Sequence, residues 1–167
     1  MTSPLSRKVL ALVAAGASAV AIATQFLSEK EGADRLVAYQ DDNGVWTACM
    51  GITRGVKATS RFTPQQCKAM DAAAVNEAAD EVKRIVTVPL TEPERAAVIS
   101  FCAYNIGQGK CSSSTFLKEL NAGDRKAACA QINRWIYDGG RDCRIRSNDC
   151  YGQVIRRQQE TALCQMN

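Results

Sequence analysis

Glu31-Gly32-Ala33-Asp34-Arg35-Leu36-Val37-Ala38-Tyr39-Gln40-Asp41-Asp42-Asn43-Gly44-Val45-Trp46-Thr47 brings together a glutamate, an aspartate entering a turn and a threonine beyond it. Asn43-Gly44 is a strong hairpin signal, because both residues accept positive φ. The length of the loop decides what the hairpin can do. A two-residue loop pairs Asp41 with Trp46 and sends Asp41 and Thr47 to opposite faces. A three-residue loop, Asp42-Asn43-Gly44 with Gly44 left-handed, pairs Asp41 with Val45 and makes Thr47 a diagonal neighbour on the same face. The three-residue loop is the expectation. Asp42 is then the natural acceptor for the loop amides, leaving Asp41 for other work.

Composition narrows the chemistry. A chain of 167 residues has room for one domain with a real core. There is no histidine, which removes Ser–His–Asp and Cys–His catalysis and deprives a zinc site of its commonest nitrogen ligand. No metal or cofactor is expected, and carboxylates remain as the acid/base pair. A net charge of +4 suits an anionic polymer or surface, but no basic stripe argues for nucleic acid. Eight cysteines without CxxC spacing point to disulfides and an oxidising compartment.

Past the hairpin, Lys57 to Phe62 is expected as loop. Thr63-Pro64-Gln65-Gln66 is a capping box with proline at the first helical position. The helix it opens should run to about Val86, with Cys67, Met70, Ala74, Ala78 and Val82 on its buried face. Thr91-Glu92-Pro93-Glu94 repeats the pattern and starts a helix through about Tyr104, ended by Gly107 and Gly109. Ser113 or Ser114 can cap a short helix to Leu120. Asp124 caps another to about Ile136, stopped by Gly139-Gly140, and Gly152 to Gln165 is the last. Trp135 is expected in the core, and Arg156-Arg157 on a solvated face with Glu160 as partner. Strands are thus confined to about residues 37–55, an α+β class with segregated elements.

Eight cysteines permit many pairings. Cys143 and Cys150 bracket the short loop Arg144 to Asp149 and are paired. For the rest, Cys102 with Cys111 would close a helix-to-loop turn, Cys49 with Cys67 would tie the hairpin to the long helix, and Cys129 with Cys164 would join two late helices.

The order Glu31-Gly32, Arg35-Leu36, Ala38-Tyr39-Gln40-Asp41, Gly44-Val45-Trp46-Thr47, continuing into Cys49-Met50-Gly51-Ile52-Thr53-Arg54-Gly55-Val56, resembles the active-site segment of the phage-type lysozymes. Two departures stand out. The step from Glu31 to Tyr39 is one residue longer than the family's usual spacing, and the family's Gly-His-Thr is here Gly51-Ile52-Thr53. The resemblance implies a lysozyme-like fold, with a small lobe at about 29–62 and a larger helical lobe at about 63–167. It implies Glu31 as general acid, Asp41 as base-side carboxylate and Thr47 as a water-positioning hydroxyl. It also implies a substrate, the β-1,4 bond between N-acetylmuramic acid and N-acetylglucosamine of bacterial peptidoglycan. Glycosidic hydrolysis needs an acid for the leaving oxygen and a carboxylate across the sugar ring. Tyr104-Asn105-Ile106-Gly107 resembles the family's cleft-lining segment, with Ser114 and Thr115 as further candidates to face the glycan. Two other readings compete. A lytic transglycosylase needs one acid and no water-activating partner, and a non-catalytic wall-binding module needs neither.

Ahead of this domain, Arg7 and Lys8 precede an uncharged run from Val9 to Ser28, near the ~20 residues that span a bilayer. The run is weakly apolar, with seven alanines, Gly16, Ser18, Thr24 and Gln25. Its eight strongly apolar side chains are worth only about −2 to −5 kcal/mol of insertion. Residues 1–28 are therefore expected as a hydrophobic export helix. It could be cleaved at Ala21-Ile22-Ala23, serve as a permanent anchor, or act as a signal-anchor-release segment, a variant of these lysozymes. The last fits the alanine content best. The protein is expected in the host periplasm, first tethered to the inner membrane through residues 9–28, as a monomer acting on glycan strands.

Overall fold

The computed structural model describes residues 4–31, 35–41 and 43–166, without the Glu31 side chain. The apolar N-terminal run forms two helices rather than one, α1 (Arg7–Ala14) and α2 (Ala19–Glu31). Gly16, at φ +67°, makes the break. Its N–H donates to the Val13 carbonyl and that of Ala17 to Leu12, a left-handed helix ending that glycine permits without Cβ strain. Ser18 restarts the chain by accepting from the Ala21 N–H, while Glu92 accepts from the Ala19 N–H. Among the described residues no helix is long and apolar enough to cross a membrane.

A short hairpin follows, β1 (Tyr39–Gln40) with β2 (Trp46–Thr47). The backbone at 36–38 also pairs with 60–62, through Ala38 N–H to Ser60 O and Phe62 N–H to Leu36 O. The capping box at Thr63 forms in full, with Gln66 returning to the Thr63 N–H, and opens α3 (Pro64–Ile85). Its buried face is rotated from the expected one. Asp71, Val75, Ala79 and Glu81 are buried beside Cys67, Ala78 and Val82, whereas Met70 and Ala74 are only half-buried. The helix serves two cores, so a single apolar stripe does not describe it.

The second capping box opens α4 (Glu92–Val98), but the α-geometry does not persist to Tyr104. Residues Ile99–Ile106 widen into a π-helix, stopped at Gly107 with φ +80°. Helices α5 (Gln108–Ser112), α6 (Thr115–Asn121, capped by Ser114) and α7 (Arg125–Ile132, capped by Asp124) follow. Helix α7 ends four residues earlier than expected, and strands are not confined to the first hairpin. Gly139 and Gly140, both at positive φ, form the two-residue turn of β3 (Tyr137–Asp138) and β4 (Arg141–Asp142). Helix α8 (Tyr151–Cys164) closes the chain.

Two apolar cores form among the described residues. The larger holds Val9, Ile22, Phe26 and Leu27 of the N-terminal helices against Val75, Val82, Phe101, Phe116 and Leu163. Trp135 packs edge-on to Phe101, as expected of a core residue. The smaller core collects Ala48, Cys49, Val56 and Cys67. The disulfides are Cys49–Cys67, Cys102–Cys111, Cys129–Cys164 and Cys143–Cys150, the four suggested by chain order.

Helix α8 departs most from expectation. Arg156 and Arg157 are not solvated: Arg157 is 1% exposed and Glu160 fully buried. Arg157 Nη1 donates to Glu160 Oε2, its Nε to the Trp135 carbonyl at 3.0 Å, and its Nη2 to Asn105 Oδ1. Ser100 Oγ and Arg156 Nε donate to Glu160 Oε1. The partner was foreseen, but the burial was not. Charges are rarely taken inside unless fully paired, and this one is.

Candidate active site

The hairpin adopts the three-residue loop. Tyr39 pairs with Thr47 and Gln40 with Trp46, and the Asp41 N–H donates to Val45 O at 3.0 Å. Gly44 is left-handed at φ +76°. Pairing continues by twos, so Asp41, Tyr39, Val45 and Thr47 share one face. Asp41 itself serves loop amides. Asp41 Oδ1 accepts from Asn43 N–H at 2.9 Å and Val45 N–H at 2.8 Å. These bonds lock the carboxylate's direction through one oxygen. Asp42 lies outside the described residues. Thr47 is buried, and its hydroxyl donates to Val45 O at 3.0 Å, leaving its oxygen as an acceptor.

Glu31 is the last residue of α2, so the helix delivers its backbone to the segment that leads into β1. Its side chain and residues 32–34 lie outside the described residues. The neighbouring carboxylate is committed elsewhere. Glu29 Oε1 accepts from Ser6 Oγ and Gln25 Nε2, both at 2.8 Å.

The chain just beyond β2 is fastened on three sides. Cys49 sits at φ +53°, a conformation costly for a residue with Cβ, and is held there by its bridge to Cys67 and the Ala48–Ile52 pairing. The Met50 N–H donates to Asp71 Oδ1 of α3 at 3.0 Å, and the Met50 carbonyl accepts from the Tyr104 hydroxyl of the π-helix. The hairpin's position against the larger core is therefore set through one buried residue. Sequence reasoning missed Asp71; a lone acid on a helix gives no sign of burial.

Burial pushes the Asp71 carboxyl above its ordinary pKa, and the Met50 N–H opposes this. A raised acid pKa in the folded state gives stability present below the ordinary value and lost as pH rises through the folded one. Asp71→Asn, which keeps an acceptor for Met50, should therefore gain on the wild type in melting temperature as pH is raised from acidic to neutral. Thermal melts across that range check it.

Tyr104 also lines a groove of about 390 Å³ between the post-hairpin turn, α3 and the π-helix, together with Ile52, Thr53, Glu77, Glu81 and Gln108. Asp41 and Thr47 are not among its lining residues; the groove starts beyond their strand. Asn105 turns inward, to Arg157. Ser114 is buried as the cap of α6, accepting from Leu117 N–H and donating to the Cys111 carbonyl, while Thr115 is exposed. The structure thus brings Tyr104 to the groove and engages Asn105 and Ser114 in internal bonds. Among the described residues no cluster of metal-ligating side chains occurs.

Comparison with known proteins bears on this arrangement. The family model described as phage lysozyme matches residues 28–160. A probable prophage lysozyme of Escherichia coli is 55% identical over 95% of this chain and 92% of its own length. A protein named SAR-endolysin from Escherichia phage 933W is 54% identical over the same shares. Among solved structures, an endolysin from the Escherichia coli phage FAHEc1 superposes with a TM-score of 0.72 at 28% identity, over 86% of this chain and 90% of that one.

Proposed function

Because the chain belongs to the phage lysozyme family, we propose that it is an exported muramidase that hydrolyses the β-1,4 bond between N-acetylmuramic acid and N-acetylglucosamine of peptidoglycan, lysing the host. The observation that carries the reading is the hairpin register, which puts Asp41 and Thr47 on one face with α2 ending at Glu31 just ahead of that hairpin. Glu31 donates a proton to the leaving oxygen. Asp41, its direction held through Oδ1, activates water from the other side of the ring, and the Thr47 hydroxyl positions that water. Mass analysis of digested peptidoglycan tests the reaction. Reducing ends are expected; anhydro ends would make the protein a lytic transglycosylase instead.

Export and tethering form the second half of the reading, supported by the relatives named SAR-endolysin and by the Val9–Ser28 run. The two N-terminal helices are the released form. Val9, Ile22, Phe26 and Leu27 are fully or almost fully buried on the domain, worth roughly 6–12 kcal/mol together as an upper estimate. That exceeds the weak insertion energy of about −2 to −5 kcal/mol. Polar contacts add to it: Ser6 to Glu29, Gln159 to the Pro4 carbonyl, and Ala19 N–H to Glu92. In the membrane, Glu31 would sit in the headgroup region only about 6 Å beyond Leu27, badly placed for a glycan strand. Adding an uncoupler should move full-length protein from the membrane to the soluble fraction with a gain of muramidase activity. Leucine at Gly16, Ser18 and Ala19 should trap it in the membrane, inactive, since it raises insertion energy and removes the left-handed break and the cap. A trapped form that is active, or a soluble product shortened at about Ala23, would overturn the release mechanism.

A further inference from the structure

The break between α1 and α2 leaves the first amides of α2 without carbonyls from a preceding turn. Ser18 Oγ accepts from the Ala21 N–H at 3.3 Å. The Ala19 N–H is served from elsewhere in the fold, by Glu92 Oε2 at 2.5 Å, across 73 residues of chain. Ala19 is 2% exposed, so water is a poor substitute for that acceptor. Glu92 stands in the first turn of α4, where its charge also suits the helix dipole. The other acid of that turn, Glu94, is engaged by Arg125 and by the Thr91 N–H. Glu92 is the one that reaches α2.

We propose that Glu92 selects the released form of the N-terminal segment, and so sets how much of the chain leaves the membrane. The selection rests on the release reading and follows from which state offers a donor. In an unbroken span over residues 9–28 the Ala19 N–H bonds to the Ala15 carbonyl inside its own helix, as the lipid interior demands. It also lies near mid-span there, out of reach of α4. Only the division at Gly16 frees that amide from the helix ladder. The Glu92 carboxylate thus has affinity for one state and none for the other, and a contact shifts an equilibrium only by such a difference. The apolar side chains discriminate less, because lipid and the domain core both receive Ile22, Phe26 and Leu27.

Fractionation of cells expressing full-length variants, at a fixed dose of uncoupler, tests this. Glu92→Ala should lower the ratio of soluble to membrane-bound chain roughly 3- to 30-fold, the factor for a lost charged helix cap. Glu92→Gln, which keeps a neutral acceptor, should recover part of it. Amide exchange in the released full-length chain separates the contact from a folding defect. In Glu92→Ala it should quicken at Ala19 and stay unchanged at Val98, Ile99 and Phe101, which are fully buried. An unchanged ratio, or exchange that quickens at those buried residues as well, overturns the selection. Neither readout uses glycan cleavage, so failure of the muramidase reading shows separately. A wild type without a membrane-bound pool would remove the tethered state and the selection with it, whereas exchange at Ala19 would still register the contact.

Discussion

Glu31→Gln is expected to abolish muramidase activity, by at least ~10²–10⁴-fold, the contribution of a positioned general acid, while leaving the thermal melt unchanged. Glutamine keeps the size and loses the transferable proton. Glu29→Gln is the matched control, because two residues separate the carboxylates and the family's spacing to Tyr39 is stretched by one in this chain. Glu29 Oε1 is occupied by Ser6 and Gln25, at a seam between α1 and α2, so its replacement should loosen that seam slightly and leave turnover intact. Turbidity clearing of purified cell walls, run beside melts of both variants, decides the matter. Full activity in Glu31→Gln with loss in Glu29→Gln would shift the acid by two residues and undo the proposed assignment.

The largest stability effect is expected at Arg157. Truncating one partner of a buried pair strands the other charge, at about 3–5 kcal/mol. Arg157→Met should therefore lower the melting temperature by roughly 6–20 °C. The loss is not confined to the ion pair. Asn105 and the Trp135 carbonyl lose their donor, and Phe101 loses the guanidinium 5.1 Å from its ring centre. Arg157→Lys should recover only part, since an ammonium cannot fork to Glu160, Asn105 and Trp135 together. Removing Glu160 as well should cost less than the sum of the two single changes, because each single change already loses the Arg157–Glu160 interaction. Urea unfolding of the two Arg157 variants, the Glu160 single change and the double change measures this. A solvated arginine would give changes within about ±0.5 kcal/mol.

Much of the framework was legible because its causes are local. Asn43-Gly44 specifies a turn through its tolerance of positive φ, and the alternation of Tyr39, Asp41, Val45 and Thr47 follows from strand geometry once the loop has three residues. Thr63-x-x-Gln66 and Thr91-x-x-Glu94 satisfy orphan helix amides within four residues of chain, so both capping boxes form as expected. Cys143–Cys150 and Cys102–Cys111 close short loops of chain. Absence of histidine restricts the chemistry whatever the fold.

The remainder depends on what meets what. Residues 99–106 have the apolar character of an α-helix, yet widen into a π-helix where Ser100 bonds to Glu160 and Asn105 to Arg157 across the core. Arg157 carries the same local signal as a surface arginine; only enclosure by Trp135, Phe101 and Asn105 makes it internal. Asp42 is the better loop acceptor on paper, yet in the closed turn Asp41 accepts from the Asn43 and Val45 amides. Gly139-Gly140 can stop a helix or turn a hairpin, and the earlier end of α7 left room for the hairpin. The N-terminal run carries enough apolar length to suggest a span. Its division at Gly16 appears once Glu92 caps the second helix and the domain offers a surface for Val9, Ile22, Phe26 and Leu27. Local rules act over a few residues of chain, whereas burial and pairing are properties of side chains dozens of residues apart, which a one-dimensional pattern does not bring into contact.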